Sequence, residues 1–347
     1  MNKLFYLIPL AALTWLGCNN NGKTGDESDT TNTVKVAPPD VPVQTSVEIM
    51  APEALQLVDT SMKVEELAKG FTWSEGPLWV EELNALVFSD VPENKIYKWS
   101  ESDGLSVFLQ PSGFTDTTST LKGDGSNGLM LDSEGDLVLC QHGDRRVAIL
   151  KGGLQNPKAE FITLADNFGG KKFNSPNDLA IKSNGEIYFT DPPYGIKDEK
   201  QEELKFYGVY KINQNGEVML LTDTITRPNG IAFSPDEKTI YIGNSDSDKL
   251  YWYTYNVDSK GVFTKGKIFF DATPFAQNGP GAPDGLKVHK NGTVFGTGPS
   301  GVFMISPKGK LLGIIHTSKS TANCAFDKDY KYLYLTTTDR LLRVQLK

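Results

Sequence analysis

Cysteine is nearly absent from this chain of 347 residues, with one at 18, one at 140 and one at 324. Histidine is equally scarce, with three. So few thiols and imidazoles exclude a framework of disulfides and any zinc site built on clustered Cys and His. Basic stripes are missing as well. A net charge of −8 and a pI near 5.1 argue against nucleic acid or an anionic membrane surface as a partner. Beyond the N-terminus no apolar run is long enough to cross a bilayer. The remaining composition is that of a globular protein with many turns: 39% hydrophobic, 22% charged, 33 Gly and 19 Pro.

The N-terminus reads as a targeting segment. Lys3 precedes an apolar stretch, Leu4 to Leu16, that ends in Leu16-Gly17-Cys18. That ending resembles a bacterial lipoprotein cleavage site, with residues 1–17 removed and Cys18 lipidated. Residues 18–45 are rich in Asn, Thr, Gly, Asp and Pro and read as a disordered tether. The expected location is the cell envelope, lipid-anchored and facing the periplasm or the cell surface. The membrane would be met only through that anchor.

From there the chain repeats itself. Glu75-Gly76-Pro77-Leu78-Trp79, Asn127-Gly128-Leu129-Met130, Asn177-Asp178-Leu179-Ala180, Asn229-Gly230-Ile231-Ala232, Asp284-Gly285-Leu286-Lys287 and Asn323-Cys324-Ala325-Phe326 are six copies of one pattern. An oxygen-bearing side chain leads each copy into an apolar alternation that reads as a strand. The gaps between leading residues are 52, 50, 52, 55 and 39. About ten residues after each copy comes a polar turn and a second β-rich run, as in Gly135-Asp136-Leu137-Val138 and Gly185-Glu186-Ile187-Tyr188. Third and fourth strands follow in most copies. A period near fifty with four antiparallel strands per copy predicts an all-β fold, a six-bladed β-propeller over residues 46–347. The last copy is one strand short, and Val64 to Phe71 is expected to fill that place and close the ring. Cys140 and Cys324 fall two blades apart, so they are expected to be buried free thiols.

Propeller geometry then predicts a site. The first strand of each blade lines the channel, so Glu75, Asn127, Asn177, Asn229, Asp284 and Asn323 should converge at one mouth. Loops after the second strands return there, carrying Ser89-Asp90, Gln141-His142, Asp191-Pro192-Pro193-Tyr194 and Asn244-Ser245-Asp246. Two carboxylates among amides offer hard oxygen ligands, which suit Ca²⁺ or Mg²⁺, with Mn²⁺ also accommodated.

These segments, with Cys140-Gln141-His142-Gly143-Asp144-Arg145-Arg146 and Phe189-Thr190-Asp191-Pro192-Pro193-Tyr194-Gly195, resemble the signatures of the SMP-30/gluconolactonase family over about residues 64 to 345. The resemblance implies one divalent cation at the mouth, Ca²⁺ first, with Mg²⁺, Mn²⁺ or Zn²⁺ behind it. It places metal ligands at Glu75, Asn229 and Asp284, and a substrate- or metal-contacting amide at Asn177. It implies a small sugar lactone as partner and a lactone hydrolase as activity. A monomer is expected. The sugar-binding Arg of some relatives is replaced by Ser175.

On this reading the cation polarises the lactone carbonyl, and Asp284 or His142 takes the proton from water. His289 and His316 read as structural or exposed, and Arg145 and Arg146 as substrate-orienting residues or ordinary ion pairs. Two other classes share the same features: a phosphotriesterase-like hydrolase, and a non-catalytic propeller that binds a glycan or a protein.

Overall fold

A computed structural model describes residues 43–118 and 123–347; the signal segment at 1–17 and residues 18–42 of the expected tether lie outside the described residues. The last three residues of that tether, 43–45, belong to the fold: Val43 packs on the core, Gln44 N donates to Ser318 Oγ and Thr45 begins a strand. Among the described residues there is no α-helix, only strands and four short 3-10 turns. The strands form six antiparallel sheets in chain order, plus one two-stranded hairpin. Blade one is built from Ser74–Val80, Ala85–Asp90, Lys95–Ser100 and Gly104–Leu109. Blades two to five repeat that plan, their first strands being Ser126–Leu131, Leu179–Ile181, Pro228–Phe233 and Leu286–Val288. Each first strand packs beside the first strands of its neighbours, and Asn323–Phe326 of blade six meets Ser74–Val80 of blade one. The propeller expected from the period is the fold observed.

Closure follows the expected route. Val64–Lys69 pairs antiparallel with Arg340–Gln345 and completes blade six from the other end of the chain. Residues 46–62 do more than lead into that strand. Thr45–Ile49 pairs with Leu311–Thr317 and makes blade five a five-stranded sheet. A short turn, Pro52–Gln56, then lays Ala54, Leu57 and Val58 into the core shared by blades five and six.

The cores lie between blades, where alternate side chains of facing sheets interdigitate. Trp252 of blade four is fully buried against Phe303 of blade five, with ring centroids 5.4 Å apart. Gly296 and Gly298 on the facing strand leave the room: a Cβ at either would press on that indole. Cys140 and Cys324 are free and buried, as small apolar residues would be.

Candidate active site at the channel mouth

The innermost strands begin irregularly, and that irregularity builds the site. Ladder pairing slips between Glu75 and Leu78, between Ser126 and Leu129, and between Pro228 and Ile231. A slipped register turns residues out of the pleat, and here Glu75, Asn127 and Asn229 line the mouth. The residue after each leading position is usually Gly because adjacent strands approach closely there. Gly128 N donates to Asn177 O at 2.8 Å, and a Cβ on Gly285 would collide with the Asn323 side chain.

The ends of the second strands hold the approach to these positions. Asp191 accepts from the backbone N–H of Asn174 at 2.8 Å and of Ser175 at 2.7 Å. Asp90 accepts from Thr72 and Trp73, and Asn244 Oδ1 from Arg227 N. These groups were expected to face the mouth; instead they clamp backbone, because the loops before the first strands have no ladder partner of their own. Burial pushes the Asp191 carboxyl up to about 7 even against those donors. Ser175 is likewise committed inward: its hydroxyl donates to Pro192 O and accepts from Gly195 N.

The cleft at the mouth has a volume of about 660 Å³, and Glu75, Asn127, His142, Asn177, Asn229 and Asp284 all line it. The amides form a chain. Asn127 Nδ2 donates to Asn177 Oδ1 at 2.7 Å, Asn177 Nδ2 to Asn229 Oδ1 at 2.6 Å, and Asn229 Nδ2 to Ser245 Oγ at 2.9 Å. His142 Nε2 lies 3.1 Å from Asn177 Oδ1, and burial pulls its pKa down to about 4, so the ring is neutral near pH 7. Tyr194 and Lys197 stand at the rim, where Lys197 meets Asp124 at 2.6 Å.

The two carboxylates are poorly compensated. Glu75 is pushed up to about 7, first by desolvation and then by the charge of Asp178; its Oε2 accepts from Gly76 N at 2.9 Å. Asp284 is driven well above the ordinary carboxylate range by desolvation and by Glu75 and Asp178. Its Oδ1 is shielded from solvent and has no hydrogen-bond partner. Among the described residues no three His, Cys, Asp or Glu side chains gather as a ligand set. The donors that do converge are two carboxylates and several amide oxygens. An orphaned carboxylate oxygen beside a second desolvated carboxylate and amide oxygens fits a hard divalent cation.

One leading residue departs from expectation. Asn323 does not line the cleft. Its Nδ2 donates to Glu75 Oε2 at 3.2 Å and to Asp178 Oδ2 at 3.4 Å, while its Oδ1 accepts from Cys324 N and from Lys287 Nζ. The amide is thus spent behind Glu75. Asp178 itself was missed. Its signal was available in the repeat, since Gly76, Gly128, Gly230 and Gly285 occupy the position where this copy alone has an acid.

Other marked residues are structural. Arg145 donates to the carbonyls of Phe173, Asn174 and Gln201, and Arg146 to Gln141, Asp144 and Thr163. His289 is packed by Phe295, Phe326 and Tyr330. His316 bridges Ser300 Oγ at 2.9 Å and Glu48 Oε2 at 3.0 Å, fastening the strand Thr45–Ile49 to its blade.

Known proteins share this architecture. The family model described as SMP-30/Gluconolactonase/LRE-like region matches residues 73–339. A gluconolactonase of Zymomonas mobilis is 34% identical over 306 residues, 86% of this chain and 85% of that protein. A solved gluconolactonase from Xanthomonas campestris superposes with a TM-score of 0.76 at 28% identity, covering 90% of this chain and 99% of the other. A regucalcin from Agrobacterium tumefaciens, described as calcium-binding, shares the fold at a TM-score of 0.63 and 18% identity, covering 82% of this chain and 95% of that one. With the family model matching most of the propeller and one relative aligned along most of both chains, the protein belongs to the SMP-30/gluconolactonase/LRE-like family.

Proposed function

We propose that this protein hydrolyses sugar lactones at the channel mouth, with one divalent cation held by Glu75, Asp284, Asn177 and Asn229. The observation that carries the reading is the pair of desolvated carboxylates, Glu75 and Asp284, brought together from blades one and five with one oxygen of Asp284 unpartnered. Ca²⁺ fits this donor set best, since it takes many oxygen ligands in a flexible arrangement. When bound there, such a cation supplies Lewis-acid polarisation of a carbonyl and stabilises developing negative charge.

The chain's own residues supply the rest. An amide oxygen has two lone pairs, so Asn229 Oδ1, which accepts from Asn177 Nδ2, can still offer one to the cleft. Asn177 Oδ1 already accepts from Asn127 Nδ2 and meets His142 Nε2, and would exchange one of these contacts for the cation. The short contact from His142 Nε2 to an amide oxygen needs the proton on Nε2. His142 then positions Asn177. Asp284, lining the cleft with an unpaired Oδ1, is the better-placed acceptor for the proton of an attacking water. Tyr194 and Trp73 provide aromatic surface at the wall for the ring of a sugar.

The test is a panel of aldonolactones followed by acid release with a pH indicator, with and without chelator, and with Ca²⁺, Mg²⁺, Mn²⁺ or Zn²⁺ restored. Turnover that chelator removes and a cation restores is expected. Lactone turnover unaffected by chelator would sink the cation assignment, while turnover of aryl phosphotriesters alone would replace the substrate class.

A further inference from the structure

Beneath the mouth lie two charged side chains with no part in the reading above. Asp178 is buried; its Oδ1 accepts from Leu179 N at 2.9 Å and its Oδ2 from Asn323 Nδ2 at 3.4 Å. Its charge is close enough to raise both Glu75 and Asp284. Lys287 comes up from the other side. Its ammonium donates to Leu286 O at 3.1 Å and to Asn323 Oδ1 at 3.2 Å. Both acceptors are neutral. Lys287 also forms the wall of an apolar cavity of about 400 Å³ along the inner strands, lined by Leu78, Leu129, Leu179, Ile231 and Phe326 among others. Its charge nevertheless reaches Glu75 and pulls that carboxyl down.

We propose that Asp178 and Lys287 set the net charge of the site, so that it matches a divalent cation rather than a monovalent or trivalent one. The inference rests on the cation reading given above. Glu75, Asp178 and Asp284, when ionised, carry three negative charges, and one ammonium leaves two. Asn323 is the joint between them: its amide nitrogen faces Glu75 and Asp178, and its oxygen faces Lys287. Held across an amide, the ammonium compensates the carboxylates without entering the cleft, where it would compete with the cation. Asp178 and Lys287 are therefore positioning residues acting on the site through charge and through Asn323. Without Lys287 the carboxylates would repel one another more strongly in the cation-free fold. Without Asp178 the site would be left with a single net charge, which offsets less of the dehydration of a doubly charged ion.

The experiment titrates Ca²⁺ and Tb³⁺ by calorimetry into the full chain and into Lys287→Met, Asp178→Asn and the double variant. Lys287→Met should bind Ca²⁺ roughly tenfold more tightly and Tb³⁺ more tightly still, because removing a fixed charge acts in proportion to the charge of the ion. Asp178→Asn should weaken both by roughly tenfold, with Tb³⁺ hit harder. The double variant restores two net charges and should return to within a few-fold of the parent. In chelator, Asp178→Asn should melt higher than the parent and Lys287→Met lower, the reverse of what lost buried hydrogen bonds alone would do to the first. Should Lys287→Met not fold, Asp178→Asn carries the test through its melting point and its Tb³⁺ to Ca²⁺ ratio. A ratio unchanged across the variants, or a double variant as weak as Asp178→Asn, overturns the charge-matching role while leaving the mouth site standing. A parent protein that binds neither ion overturns the mouth site itself.

Discussion

Replacing Glu75 with Gln should stabilise the protein in one condition and destabilise it in another. Glu75 is 3% exposed, and folding raises its pKa from 4.5 to about 7. A carboxyl raised in this way destabilises the fold when charged. The stability it permits is whole below the unfolded value and is lost as pH climbs toward 7. At about 1.4 kcal/mol per pKa unit, the cost at pH 8 without cation is on the order of 3 kcal/mol. Glu75→Gln keeps the shape and removes the charge, so in chelator at pH 8 it should melt higher than the parent, by about 5 °C for a domain of this size. At pH 5 the two should nearly coincide. With Ca²⁺ the order should reverse, because the parent gains stability by mass action and the variant has lost a charged ligand. Asp191, also raised to about 7, will tilt both proteins' stability in the same direction with pH and cancels in their difference, which reports on Glu75 together with the Asp284 carboxyl that its charge raises. Thermal unfolding by circular dichroism in the four conditions reads all of this. A Gln variant less stable in chelator at pH 8 would refute the claim that the Glu75 charge is poorly compensated.

For activity, Glu75→Gln and Asp284→Asn should each nearly abolish lactone turnover, and the double variant should cost little more, since a site already emptied cannot be emptied twice. Asp132→Asn and Asp236→Asn change acids that accept only from neighbouring groups in exposed hairpin turns, and kcat/KM should stay within two-fold of the parent. A chain starting at Val43 should fold and turn over normally. One starting at Trp73 lacks Val64–Lys69, the partner of Arg340–Gln345, and loses Phe71 from its packing on Phe88 and Tyr97; it should fail to give a cooperative melt. Cys18→Ala should move the protein from the membrane to the soluble fraction with turnover unchanged; a variant that stays in the membrane fraction would refute lipid anchoring at this residue.

The fold was legible because its signal is redundant. Six copies of an acid or amide followed by an apolar alternation point to one architecture, and any single copy could be lost without changing the conclusion. The route of closure was legible too, because Arg340–Gln345 leaves blade six one strand short and the stretch Val64 to Phe71 is there to complete it. The five-stranded blade was not. Thr45–Ile49 alternates half-buried and exposed residues at the edge of a long polar segment, and edge strands of that kind carry little hydrophobic signal. Its anchor, the contact between Glu48 and His316, joins residues far apart in sequence.

The site shows where reading by equivalence stops. Glu75, Asn127, Asn177, Asn229 and Asp284 reach the cleft because they hold the same place in their blades, and the sixth equivalent, Asn323, does not. What distinguishes it is Lys287 from the neighbouring strand, which captures its amide oxygen, while its amide nitrogen turns toward Glu75 and Asp178. Asp178 and Lys287 both break the repeat: an acid where four other copies have Gly, and an ammonium on a strand whose counterparts are apolar at that place. A repeat predicts what its copies share, so it places the side chains that line the cleft and the closely packed backbone beneath them. The charge balance of the site depends on the deviations. In a ring whose members are nearly interchangeable, the residues that fail to match their counterparts are therefore the ones to examine for what sets this site apart from its relatives.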